Sequence, residues 1–246
     1  MRHVFNTMGT TATIDAVRMN GQTIRRVEAV FSQLDARFSL YRADSELSRV
    51  AVGTLPLTSA SAELRDVYAD AIHWRHETGG AFTPHRPDGV VDLNGIVKAI
   101  GMRDAAAILR VAGSRSWCLN VGGDVLCNGE ASTGQAWTAG IVDPVDRTRL
   151  LLAVSLGIGR RAAATSGGAE RGEHIWRAVG HDVPTFNQVT VLADDIVLAD
   201  VLATAIVAGG RSSLDELADR FAVDVLTVSP TGELTATPGF RAALAA

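Results

Sequence analysis

Inside the stretch IVLADVLATAIVAGG, residues 196–210, one carboxylate, Asp200, is followed four residues later by a hydroxyl, Thr204. Positions four apart on a helix lie on one face, a turn from each other. The surrounding residues are apolar on every side, so this helix should be buried, and a buried carboxylate needs a cation or hydrogen bonds to be tolerated. Carboxylate and hydroxyl oxygens are hard ligands of the kind Mg2+ accepts, with waters and substrate phosphate completing its shell. The same two residues also suit an Asp near a helix start that accepts from backbone N–H groups, with Thr204 bonding the carbonyl one turn before it. Both readings stand on these residues alone.

Three other clusters have chemical content. In VDLNGIVKAIG (91–101), Asp92 precedes a helix start that contains Gly95, and Lys98 lies one to two turns inside it. Free N–H groups and the positive dipole end there suit a phosphate or a ring carbonyl, while a plain capping Asp and a solvated Lys fit as well. In AATSGGAERGEHIW (163–176), His174 follows a small-residue turn, where it is either a base or a structural histidine. No GxSxG surrounds Ser166, which argues against a serine hydrolase. The turn in NVGGDV (120–125) matches neither GxGxxG nor GxxxxGK[ST] and signals only close backbone approach.

The elements that must position these groups follow from periodicity. TTATIDAV (10–17) alternates as a strand, and Ile24, Val27, Phe31, Leu34 and Phe38 fall at helical spacing after it. A second helix is predicted over 61–78, capped by Ser61 and stopped at Gly79-Gly80, where the Gly/Pro-rich loop GGAFTPHRPDGVVD begins. A long helix then runs to Gly113. WCLNVGGDVLCNG reads as a hairpin about Gly122-Gly123, and WTAGIVDP as a strand stopped by Pro144. Strands are expected at 150–158 and 188–193, then the apolar helix, a short separate helix at SLDELADRF, and two last strands, DVLTVS and GELTAT. Helices and hairpins alternating in this irregular way predict an α+β fold with mixed, largely antiparallel sheets and packed helices, in one domain or two closely packed subdomains.

The chain has 246 residues, 47% apolar and 20% charged, with a formal net charge of −4. Such a charge and the lack of a Lys/Arg run give a nucleic-acid partner no support. No run of ~18 uninterrupted apolar residues suggests membrane insertion. The first residues carry no apolar run behind a basic start, so a cytoplasmic location is expected. Cys118 and Cys127 match no zinc spacing and read as ordinary buried thiols.

Read in order, MGTTATI (8–14), FSLYRADSELSRV (38–50), GGAFTP (79–84), DLNGIVKAIG (92–101), LNVGGDV (119–125), WTAGIVDP (137–144), ATSGGAER (164–171), the HI pair at 174–175 and VTVLADDIVLADVLATA (189–205) resemble the FAD:protein FMN transferases of the ApbE family. The resemblance implies a T-fold-like architecture with the flavin in a central cleft. It further implies Mg2+-dependent transfer of the FMN half of FAD to a threonine hydroxyl of an acceptor protein, with release of AMP. Hydrolysis of FAD to FMN and AMP, or FAD binding without catalysis, are the alternatives. Carried over residue by residue, Mg2+ falls to Asp200, Thr204 and main-chain oxygens at Ala203 and Gly95, with Asp200 and Thr204 also in the catalytic set. The flavin falls to Met8, Tyr41, Ala81, Phe82, Thr83, Asp92, Lys98 and Ile175, and activation of the acceptor hydroxyl to His174. The chain departs from the family pattern at Thr83, usually Asp, at Ala99-Ile100, usually Gly-Tyr, and at Trp176-Arg177-Ala178, where Asp-Pro is common. These losses lie on the flavin and acceptor side and spare the Asp200/Thr204 pair.

Overall fold

The computed structural model describes residues 1–131, 134–167 and 185–245. Its first element, β1 (Arg2–Thr7), pairs antiparallel with β2 (Thr10–Ala16) through the two-residue turn Met8-Gly9. Both turn residues have positive φ, 47° and 70°, and a turn of that hand matches the twist of the strands it joins. A second such hairpin links β3 (Trp117–Val121) to β4 (Asp124–Asn128) through Gly122-Gly123. The remaining strands are β5 (Trp137–Val142), β6 (Leu150–Leu156), β7 (Ala162–Gly167), β8 (Gln188–Ala193), β9 (Asp224–Val228) and β10 (Leu234–Ala236). Eight of them form one sheet in the order β1-β2-β3-β4-β7-β8-β9-β10, antiparallel at every pairing, and β5-β6 make a separate ribbon.

The period-two alternation of the strands divides two cores between the faces of the large sheet. On one face, Ile14, Leu119, Ala162, Ala164, Val189 and Val191 meet the helices α1 (Gly21–Phe38), α4 (Asn94–Val111) and α5 (Ile196–Phe221). On the other, Val125, Ala163, Leu192 and Leu226 meet the β5-β6 ribbon and Phe240 of α6 (Pro238–Ala242). Between α1 and α4 come the short α2 (Glu46–Ala51) and α3 (Ala62–Glu77), the latter capped by Ser61 as its sequence predicts.

The α+β, antiparallel architecture agrees with the periodicity, and two details differ from it. AAATSG forms strand β7 and not the small-residue turn expected at that point: α5 lies directly across β7, and only small side chains such as Ala162 and Ala164, both fully buried, fit beneath it. The break expected between two helices after residue 210 is present: at Gly210 (φ 69, ψ −149) the backbone is non-helical, so α5 consists of two helices that meet at a kink. Strand β1, too polar on its open side for alternation to stand out, is an edge strand. By length and composition α5 would span a bilayer, but two-thirds of its apolar stretch is buried inside the fold.

Candidate functional site

Five separate segments converge on a cleft of about 640 Å3. The β1–β2 turn brings Met8, Gly9 and Thr10; the end of α1 and the loop after it bring Asp35, Phe38, Ser39, Tyr41 and Arg42. The first turns of α4 contribute Asn94 and Lys98, the β3–β4 turn Gly122, and the β5–β6 loop Arg147. The two hairpin tips are locked together, because Gly122 N–H donates to Thr11 O at 3.1 Å and a Cβ on Gly122 would lie 2.9 Å from Thr10 Oγ1. Met8 holds a left-handed backbone that a non-glycine residue adopts at a cost, a feature that recurs where a turn shapes a site. Tyr41, 78% exposed, presents its ring at this surface.

Lys98 is the only lysine of the chain. Its ammonium pairs with Asp124, with side-chain exposures of 13% and 1%. The other Asp124 oxygen, Oδ1, accepts from Thr165 N–H on β7 at 2.9 Å. The next β7 residue, Ser166, shares a hydrogen bond of 3.0 Å with Thr204 Oγ1, and Thr165 Oγ1 shares one of 2.9 Å with Thr190 on β8. A polar thread thus runs from the cleft through the sheet to α5. Asp200, one turn before Thr204, is 4% exposed.

The oxygen donors at Asp200 and Thr204 have the chemistry of a hard cation's ligands. Among the described residues there is no group of three or more His, Cys, Asp or Glu side chains that could hold a metal. Ala203 lies inside α5 and Gly95 at the second residue of α4, and these two helices pack on each other. The missing side chain of Gly95 makes room for Phe82, whose Cε2 stands 3.0 Å from where a Cβ would be.

Of the other expected flavin residues, Ala81, Phe82, Thr83 and Asp92 are not among the residues that line this cleft. Phe82 is 3% exposed and belongs to the core, its N–H donating to Thr78 Oγ1. Ala81 packs toward Gly209 of α5, and Thr83 Oγ1 accepts from His85 N–H. Asp92 Oδ1 accepts from Asn94 N–H at 2.9 Å, closing the first turn before α4, whose own N-cap, Leu93, supplies no side-chain bond. His174 and Ile175 lie outside the described residues. Asp124, Asn94, Arg42 and Arg147 were absent from the sequence-based set. Asp124 gave no usable signal: it stands immediately after a Gly-Gly turn, at the head of the strand DVLCN, where an acid reads as solvent-facing.

Comparisons with known proteins bear on the family and the fold. The model of the ApbE family matches residues 8–88 and 85–227. A protein of Haemophilus influenzae named FAD:protein FMN transferase is 23% identical, over 81% of this chain and 76% of its own. One of the same name from Rhodobacter capsulatus is 31% identical over 69% of this chain, which spans about a third (34%) of that relative's length. The solved structure of the flavin transferase ApbE from Vibrio cholerae superposes with a TM-score of 0.80 at 24% identity, covering 99% of each chain.

Proposed function

The chain belongs to the ApbE family, and from that premise we propose that it is an enzyme, a flavin transferase that takes FAD as substrate and passes the FMN half to a threonine hydroxyl of an acceptor protein, with AMP leaving. The relatives' names support flavin transfer. The observation that carries the reading for this chain is the continuous polar thread from Lys98 in the cleft, through Asp124 and Thr165, to the Ser166–Thr204 pair beside Asp200. It joins a cation suited to an anionic nucleotide to oxygen donors suited to Mg2+.

In this reading Tyr41 and Met8 receive the flavin ring at the cleft wall, and the Lys98 ammonium meets the charge of the nucleotide. Asp200, Thr204 and the main-chain oxygens of Ala203 and Gly95 would hold Mg2+, which when bound offsets charge that builds on the pyrophosphate as the anhydride breaks. Ser166 shares a hydrogen bond with the Thr204 hydroxyl and holds its oxygen in place. His174 takes the proton of the attacking threonine. Thr83, in place of the family's usual Asp, has its hydroxyl engaged by His85 N–H and carries no charge; hydrolysis of FAD to FMN and AMP is the second reading.

Incubation with FAD and Mg2+, followed by chromatography, is expected to yield AMP; intact FAD would make the protein a carrier. Mass spectrometry of an added acceptor protein then separates transfer, which attaches FMN, from hydrolysis, which leaves the acceptor unchanged. Asp200→Ala is expected to abolish metal-dependent AMP release. Release that continues at saturating FAD without added metal would overturn the metal assignment. His174→Ala is expected to slow transfer more than it weakens FAD binding, and equal losses would make it a binding residue.

A further inference from the structure

We propose that Asp124 is a positioning residue of this site: it fixes the ammonium of Lys98 at the cleft wall and ties that cation to the strand carrying Ser166. The inference deepens the reading above and rests on it only for the identity of the ligand.

Of 23 Lys and Arg residues in the chain, only residue 98 is Lys. Arg presents a rigid planar fork, whereas Lys is a compact point charge on a flexible stem that must be aimed by its partners. Asp124 can aim it because the carboxylate is itself fully buried and held from the opposite side, with Oδ1 on Thr165 N–H while Oδ2 pairs with Lys98. With both oxygens engaged, rotation of the carboxylate would break one bond or the other. Three N–H donors let one ammonium engage Asp124 and a phosphate or ring oxygen together.

A purely structural role is a poor account of the pair. A buried ion pair inside a core is often replaced by apolar residues without loss of stability. This one sits where Lys98 borders the cleft beside Asn94 and Gly122. The cleft's other charges are arranged separately: Asp35 and Arg42 face each other at 3.7 Å, and Arg147 comes from the β5–β6 loop. Through Thr165 and its neighbour Ser166, Asp124 also holds in register the strand that steadies Thr204.

The test uses the full chain and two kinds of readout. Without nucleotide, the acylation rate of the single lysine is followed by peptide mass spectrometry under an N-hydroxysuccinimide ester, with the N-terminal amine as internal reference. Asp124→Asn keeps an oxygen for Thr165 N–H and removes the charge, and is expected to speed labelling of Lys98 about tenfold. An unchanged labelling rate in a variant that still melts cooperatively would overturn the proposal. With FAD, Asp124→Asn and Lys98→Met are each expected to weaken binding about tenfold, and the double variant no more than Lys98→Met alone, since the two act as one unit. Losses that multiply in the double variant would make Asp124 independent of Lys98 and overturn the proposal. Should Asp124→Asn fail to fold, the double variant, which leaves no unpaired buried charge, supplies the comparison with Lys98→Met. If Lys98→Met binds FAD like the parent, the assignment of Lys98 to the nucleotide fails, while the labelling rate still decides the role of Asp124.

Discussion

At the scale of single residues, chemistry follows burial and partner more than residue type. Cys118 and Cys127 face each other across β3 and β4, and Cys127 N–H donates away from that pair, to Arg161 O. They are therefore a non-hydrogen-bonded pair, whose side chains lie closest in an antiparallel ladder. Burial, reinforced by the facing Cys127, pushes the Cys118 thiol up to about 12. Burial likewise pushes Cys127 up to about 12, with Arg161 opposing and Asp194 adding. Both thiols are expected to alkylate slowly with iodoacetamide at pH 8 in the native protein and rapidly in denaturant. Unfolded thiols ionise near their ordinary value of 9.0. Between pH 9 and 12 the unfolded chain therefore loses protons that the folded chain keeps, and stability falls as pH rises. A double Cys→Ala variant should flatten that decline in thermal melts. At this scale Asp200 was legible in the sequence, because an acid in an apolar helix stands out. Asp124 was not, because an acid beside a Gly-Gly turn reads as solvent-facing until the neighbouring strand β7 is known to cover it.

At the scale of elements, close approach decides which glycines are needed. A Cβ on Gly101 of α4 would lie 2.9 Å from both Leu34 Cδ1 and Phe31 Cε1 of α1. Gly101→Ala is therefore expected to destabilise by ~1–3 kcal/mol through overpacking, measured by urea unfolding. At the kink in α5, Gly210 takes a positive φ and a Cβ there would stand 2.8 Å from Thr185 Oγ1. The helices and hairpins were readable from their periodicity and turn residues. The break between the two halves of α5 was also legible, since Gly209-Gly210 interrupts the apolar helix and Gly210 takes non-helical backbone. The poor strand-forming tendency of AAATSG, by contrast, yields to the demand of α5 for small residues beneath it.

At the scale of the whole molecule, an eight-stranded sheet separates two apolar cores, and the cleft opens where hairpin tips, the end of α1 and the start of α4 come together. A ligand bridging these segments stabilises the fold by mass action. FAD with Mg2+ at about 100-fold above its Kd is expected to add about 2.7 kcal/mol and raise the melting temperature by about 5–10 °C. Calorimetry that finds no shift with either FAD alone or FAD with Mg2+ would count against the cleft as the binding site. Asp200→Ala should remove the part of the shift that needs Mg2+ and leave the rest.

Local order was determined by the sequence alone: periods of 2 and 3.6, turn glycines and capping residues act over a few positions, so α+β class, most elements and the Asp200/Thr204 pair could be read along the chain. Motifs in series also pointed to the family. Only the tertiary structure decided that Lys98, Asp124, Thr165, Ser166 and Thr204 form one thread, because its ion pair and both its hydrogen bonds join residues far apart in the chain. It alone also decided that Phe82 is a core residue packed on Gly95. Hydrogen bonds and burial between distant segments depend on how the sheet and helices stack, and that stacking leaves no periodic trace in a single sequence.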